Sequence, residues 1–283
     1  PDYCNSGIWY FAAKSNVVGV GEGDCWLAKV TESGGSVNVS YMPMVINYPT
    51  LTDPFDIYSI KADTENGTRI YITGMRYPAN QYPICLFVAS NTLTKIRSVI
   101  DLADARCYVA VPWYRSGGSR NGNHLIIYGM NLLLNDIGYN AIYSTNGGQS
   151  FSALNTTAGG PFVPYLRCSA INENKYQAVM RVGFDWVIKT FNSWGTDWNA
   201  TAGKILLPSP FLFGGSLDVN LKNDNVIAWA HTILQDIDSI EEFPQGVSFS
   251  INGGQNWIIL ANGLPVLAAY DNRIPSIAVD WGK

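Results

Sequence analysis

Ser144-Thr145-Asn146-Gly147-Gly148-Gln149-Ser150-Phe151 returns near the end of the chain as Ser250-Ile251-Asn252-Gly253-Gly254-Gln255-Asn256-Trp257. The shared pattern is Ser-x-Asn-x-Gly-x-x-aromatic. A short motif repeated at long spacing is the mark of a repeat architecture. Its residue types describe a β-hairpin turn. The Ser hydroxyl and the Asn amide bind local backbone, the two Gly take positive φ, and the aromatic packs back under the turn.

This pattern resembles the Asp-box (BNR) repeat of sialidases, sortilin-type receptors and several glycoside hydrolases, with Asn146 and Asn252 standing where Asp is usual. In those families the box is a structural turn between the third and fourth strands of a propeller blade. The resemblance therefore implies a fold and leaves activity open.

Outward from the boxes, the same unit recurs. Each box is preceded by a β-rich strand, and that strand by a hairpin of two apolar runs around a polar turn. The hairpins are 57–63 with 69–74, 107–111 with 124–129, 166–171 with 175–180, and 216–221 with 225–230. Their starts lie about 50 to 60 residues apart, the span of a four-stranded blade with its loops. A fifth first strand, 275–281, has no second strand after it, whereas 7–13 aligns with the second strands. The expectation is an all-β chain, a five-bladed β-propeller of four-stranded antiparallel blades forming a single domain over 1–283. The C-terminal strand joins the N-terminal blade and hides the sheet edges. Third strands are expected at 25–30, 84–89, 141–144, 186–190 and 246–250. Of the turns that follow, 31–36 keeps only a Gly pair, 90–95 keeps only Ser90, and 191–198 is a degraded box. No helix is required, and 95–105, with Ile96, Val99, Ile100 and Ala103, is the best helical candidate.

Composition narrows the function classes. Of 283 residues, 47% are hydrophobic, 13% aromatic and only 14% charged, with net charge -4. That balance offers no basic footprint for nucleic acid. No apolar run has membrane-spanning length, so insertion into a bilayer is not expected. Low charge with many Asn and aromatics points to an extracellular or virion-surface protein. The chain starts at Pro1, which suggests a processed or excised product. Five Cys (Cys4, Cys25, Cys85, Cys107, Cys168) leave an odd thiol, and no C-x-x-C spacing suggests zinc. Sequons occur at Asn38, Asn66, Asn155 and Asn199.

A site follows from the expected topology. In a blade the loops entering the first strand share one face with the loops joining the second strand to the third; box turns lie on the other. By analogy with other propellers, the first face surrounds the channel mouth and holds the ligand. It collects Arg76, Tyr77, Tyr82, Tyr139, Tyr165, Tyr270, Asp271 and Arg273 as candidate binding residues. Aromatic platforms for sugar C–H faces, beside Arg and carboxylates for hydroxyls, suit a glycan or a cell-surface receptor. The primary expectation is non-catalytic, lectin-like recognition without a cofactor.

Chemistry supplies the alternatives. Arg273-Ile274-Pro275 is similar to the Arg-Ile-Pro motif of sialidases, whose Arg binds the sialic acid carboxylate, and Arg181 follows a second strand as a family Arg does. The third Arg is missing from 225–232, and sialidases have six blades. A five-bladed glycoside hydrolase would need carboxylates around the channel, with Asp53, Asp101 and Glu241 as candidates. Calcium would fit near Asp236 and Asp238, although the spacing is not an EF-hand loop. A third reading is a structural platform in a larger, virion-type assembly. With His124 and His231 alone, and no nucleophile elbow, a Ser-His-Asp triad has little support.

Overall fold

The computed structural model describes residues 7–14, 25–44, 47–48, 51–52, 55–63, 67–76, 84–99, 107–110, 123–134, 137–154, 165–168, 176–182, 185–191, 204–206, 216–220, 223, 225–232, 242–260 and 266–268. All regular structure among them is β. The chain divides into two compact units, Pro1–Gly160 and Pro161–Lys283.

The first unit holds three larger antiparallel sheets. β1 (Ile8–Lys14), β2 (Cys25–Ser33) and β3 (Ser36–Pro43) form a meander. A short hairpin, β4 (Asn47–Tyr48) with β5 (Leu51–Thr52), follows. The second sheet runs in chain order through β6 (Phe55–Ala62), β7 (Arg69–Arg76), β8 (Ile84–Ser90) and β9 (Lys95–Val99). The third does the same with β10 (Cys107–Ala110), β11 (Leu125–Leu134), β12 (Ile137–Ser144) and β13 (Ser152–Ala153).

The second unit repeats the plan. β14 (Tyr165–Cys168), β15 (Tyr176–Val182), β16 (Asp185–Phe191) and β17 (Lys204–Leu206) make one sheet. β18 (Ser216–Val219), β19 (Ile227–Thr232), β20 (Glu242–Ser250) and β21 (Ile258–Leu260) make the next, and β22 (Val266–Ala268) pairs with the start of β20. First, second and third strands stand where the hairpin and box spacing places them. The segment 275–281, and with it the expected closure onto β1, lies outside the described residues.

Burial explains the strand sequences. The second sheet is covered on both faces, so its strands read as continuous apolar runs rather than alternating ones. Ile70, Tyr71, Ile72, Leu86, Phe87 and Val88 are all fully buried. One face, with Ile70, Ile72, Phe87 and Ala89, packs on Tyr10, Cys25 and Leu27 of the first sheet. The other meets the third sheet, where Gly148 sits over Leu86. The first sheet, by contrast, is two-faced. Leu27 on its inner face has no exposure, whereas Phe11, Val39 and Tyr41 on the outer face are 54%, 59% and 69% exposed.

The helical candidate at 95–105 begins as a strand. Lys95–Val99 pairs with β8 through Ala89↔Lys95 and Leu86↔Val99, across a register shift between Val88 and Ala89. The sheet edge supplied by β8 outweighs a weak local helical pattern, since strand preference is largely set by packing and pairing partners. Residues 100–105 lie outside the described residues.

Candidate functional site

The two octets form turns of one design. Ser144 Oγ accepts from Gly148 N at 2.9 Å and donates to Asn146 Oδ1 at 2.8 Å. Asn146 Oδ1 also accepts from Gln149 N and Ser150 N, at 3.1 and 3.0 Å, while its Nδ2 donates to Ser150 Oγ at 2.8 Å. In the second box Ser250 Oγ accepts from Gly254 N at 2.8 Å and donates to Asn252 Oδ1 at 3.0 Å, and Asn256 N donates to Asn252 Oδ1 at 2.9 Å. Gly147 and Gly148 have φ of 69° and 81°, the left-handed region that L side chains avoid. A Cβ on Gly148 would lie 2.5 Å from Leu86 Cδ2, and one on Gly147 would lie 2.6 Å from Arg69 Nη1. The box is thus both a turn and a packing surface for the preceding sheet, and its chemistry is structural.

Two features of this turn escape sequence reading. Gly147 N donates to Asn123 O at 2.7 Å and Gly253 N to Asn225 O at 2.8 Å, so each box is tied to the residue two places before its sheet's second strand. The contacts are to backbone carbonyls, which any residue supplies. The sequence trace, in hindsight, is that both anchors are Asn. The other feature is Ser90-Asn91-Thr92-Leu93-Thr94, where only Ser90 matches the pattern. It nevertheless keeps part of the box geometry. Thr94 N donates to Ser90 Oγ at 3.0 Å, Thr92 Oγ1 lies 2.8 Å from Ser90 Oγ in the Asn position, and Leu93 takes the Gly position with φ 58°.

Three of the candidate ligand residues, Arg76, Tyr139 and Tyr165, belong to the opposite strand ends. Phe55↔Arg76 is the terminal pair of β6 and β7, and Tyr77 and Tyr82 follow Arg76 in the sequence. Tyr139 pairs with Leu132 in the extension of β11 and β12 beyond their register shift. Tyr165 opens β14 opposite Val179, and at the same end the β15–β16 hairpin finishes in Arg181↔Trp186 and Val182↔Asp185. Backbone register therefore puts Arg76, Tyr139 and Tyr165 at the non-box ends of three different sheets. Tyr77, Tyr82, Tyr270, Asp271 and Arg273 lie outside the described residues. So do Asp53, Asp101 and Glu241, the alternative catalytic carboxylates, and the calcium candidates Asp236 and Asp238.

Among the described residues no three His, Cys, Asp or Glu side chains cluster as metal ligands. The buried carboxylate among them, Asp63, sits at the box end. Its Oδ2 accepts from Thr68 N at 3.4 Å and its own N–H donates to Arg69 O at 2.8 Å, which caps the β6–β7 turn. Lys189 is also buried, with Nζ 5.1 Å from the Phe191 ring, which stacks on Tyr176 at 4.8 Å.

Consecutive antiparallel sheets of mostly four strands, with the two octet turns packed on the preceding sheet of their own unit, define an all-β protein. No known family profile and no curated protein matches the chain. Solved structures do. The GH74 xyloglucanase from Xanthomonas campestris aligns with a TM-score of 0.51 over 93% of this chain at 11% identity. This chain spans 38% of the length of that one, and the likeness is one of fold.

Proposed function

We propose that this protein is a carbohydrate-recognition propeller. Five blades form a single ring over 1–283, closed by 275–281 pairing with β1, and the face opposite the box turns binds a glycan on a cell-surface receptor. The observation that carries this reading is the register. It sets Arg76, Tyr139 and Tyr165 at the non-box ends of their own sheets; the reading assigns Tyr77, Tyr82, Tyr270, Asp271 and Arg273 to the same face. Aromatic faces beside guanidinium and carboxylate groups match the alternation of C–H and hydroxyl surfaces on a sugar. The low charge and the aromatic content fit a secreted or virion-borne head, whole or as part of a larger assembly. No cofactor is needed for this binding, and calcium at Asp236 and Asp238 would show itself as sensitivity to a chelator.

The fold neighbour favours a second reading, since it is a xyloglucanase. A glycan array probed with the folded chain, beside a hydrolysis assay on every hit, separates the two. A binder loses its hits on Tyr77→Ala or Tyr270→Ala and releases no sugar. A hydrolase loses turnover and keeps binding on Asp53→Asn, Asp101→Asn or Glu241→Gln. An array with no signal above background rejects carbohydrate recognition and leaves the structural platform.

A further inference from the structure

The turn that organises the fold also creates a chemical liability. Gly is favoured after Asn146, because φ is 69° there, a conformation side chains rarely adopt, and a Cβ would lie 2.6 Å from Arg69 Nη1; Gly253 has φ 71°. Each box therefore contains an Asn-Gly step, where no side chain shields the backbone nitrogen from the preceding amide. We propose that Asn146 and Asn252 are deamidation sites held shut by the box hydrogen bonds, and that Asn252 is the more labile of the two.

The chemistry is self-contained. The Gly amide nitrogen loses its proton and attacks Asn Cγ, a C–N bond forms, and the side-chain nitrogen leaves as ammonia. One water then opens the resulting succinimide at either carbonyl, giving Asp or isoAsp. Folding opposes the first step in two ways. The nucleophile is engaged, with Gly147 N bonded to Asn123 O and Gly253 N to Asn225 O. The electrophile is also pinned by its own amide. Asn146 is held at Oδ1 by Ser144 Oγ, Gln149 N and Ser150 N, and at Nδ2 by Ser150 Oγ. Asn252 is held at Oδ1 by Ser250 Oγ and Asn256 N only, and its Nδ2 has no hydrogen-bond partner among the described residues. Asn256 replaces the hydroxyl that Ser150 provides.

The two products differ in consequence. Asp keeps the acceptor oxygen and restores the residue usual in this type of turn. IsoAsp reroutes the main chain through Cβ, adds one carbon to the turn and pulls Gly253 N away from Asn225 O.

The test is peptide mapping by mass spectrometry of the full chain aged in heavy-oxygen water at mildly alkaline pH, folded and in urea. In urea the two sites convert at similar rates. In the folded chain both are slowed, and Asn252 converts roughly tenfold faster than Asn146, as two fewer hydrogen bonds of ordinary net strength imply. Asn256→Ser, an exposed substitution that restores the missing acceptor, slows Asn252 toward the Asn146 rate. The proposal is overturned if the folded rates equal those in urea, if Asn146 converts as fast as Asn252, or if Asn256→Ser leaves the Asn252 rate unchanged.

Discussion

Asn146 holds its turn through a neutral amide oxygen. Two backbone N–H groups and one hydroxyl converge on Oδ1, which fixes the amide orientation and leaves Nδ2 for Ser150. Asn146→Ala hands those exposed donors to water and should cost about 1 kcal/mol, the net worth of an intramolecular hydrogen bond. Asn146→Asp keeps the acceptor, and the Ser150 hydroxyl can rotate to donate, so its cost should stay within about 0.5 kcal/mol. Urea midpoints of the two variants decide; equal losses would show that the acceptor is not what matters. Gly148 tests the packing half of the motif. Gly148→Ala meets both positive φ and Leu86 Cδ2, whereas in a Leu86→Ala background only the roughly 1–2 kcal/mol left-handed term remains. The double-mutant cycle should therefore show favourable coupling, and strict additivity would mean that the clash relaxes elsewhere. Ser144, Asn146 and the Gly pair were legible in the sequence because they bond within eight residues of one another. The Arg69 and Asn123 contacts were not, because they arrive from other strands.

Strands could be read wherever a polar turn separates two apolar runs, as at β6–β7 and β18–β19. Reading failed where partners outweigh local pattern. Residues 95–99 have apolar spacing suited to a helix, yet pair with β8. Likewise 90–94 has lost the box letters while Ser90 keeps its two box bonds, with Thr92 in the Asn position and Leu93 in a Gly conformation. The outer face of the first sheet was also hidden, because Val37, Val39 and Tyr41 alternate as a buried strand face would, and are exposed. Among the described residues β3 is an edge strand without a charged guard on that face, the kind of edge that recruits other strands. Val39→Lys should leave stability within about 0.5 kcal/mol of the parent, since it removes no core contact. It should also delay the onset of aggregation on heating, followed by light scattering. Leu27→Ala, on the inner face of the same sheet, should cost about 2–5 kcal/mol. If Val39→Lys costs as much as Leu27→Ala, the outer face is covered.

Across the whole chain, the first sheet is the anomaly that decides the architecture. β1 pairs with β2 in the register that second strands elsewhere make with third strands: Ile8↔Thr31 to Lys14↔Cys25 corresponds to Arg69↔Ser90 to Met75↔Ile84. Every other second strand has a first strand on its far side, namely β6, β10, β14 or β18. β1 has none among the described residues, and backbone N–H groups left along an open edge must find partners or water. The ring reading assigns that edge to 275–281, whose Ser-Ile-Ala-Val-Asp-Trp stretch resembles the other first strands. Hydrogen exchange tests this without knowledge of the ligand. In β1, successive amides point alternately toward β2 and away from it. A closed ring protects both sets, and deleting 274–283 should release only the outward set to exchange at unprotected rates while the β2-facing set stays slow. Should the outward amides of the intact chain already exchange freely, β1 is a true edge, the two termini do not share a sheet, and the face assigned to the glycan loses its basis.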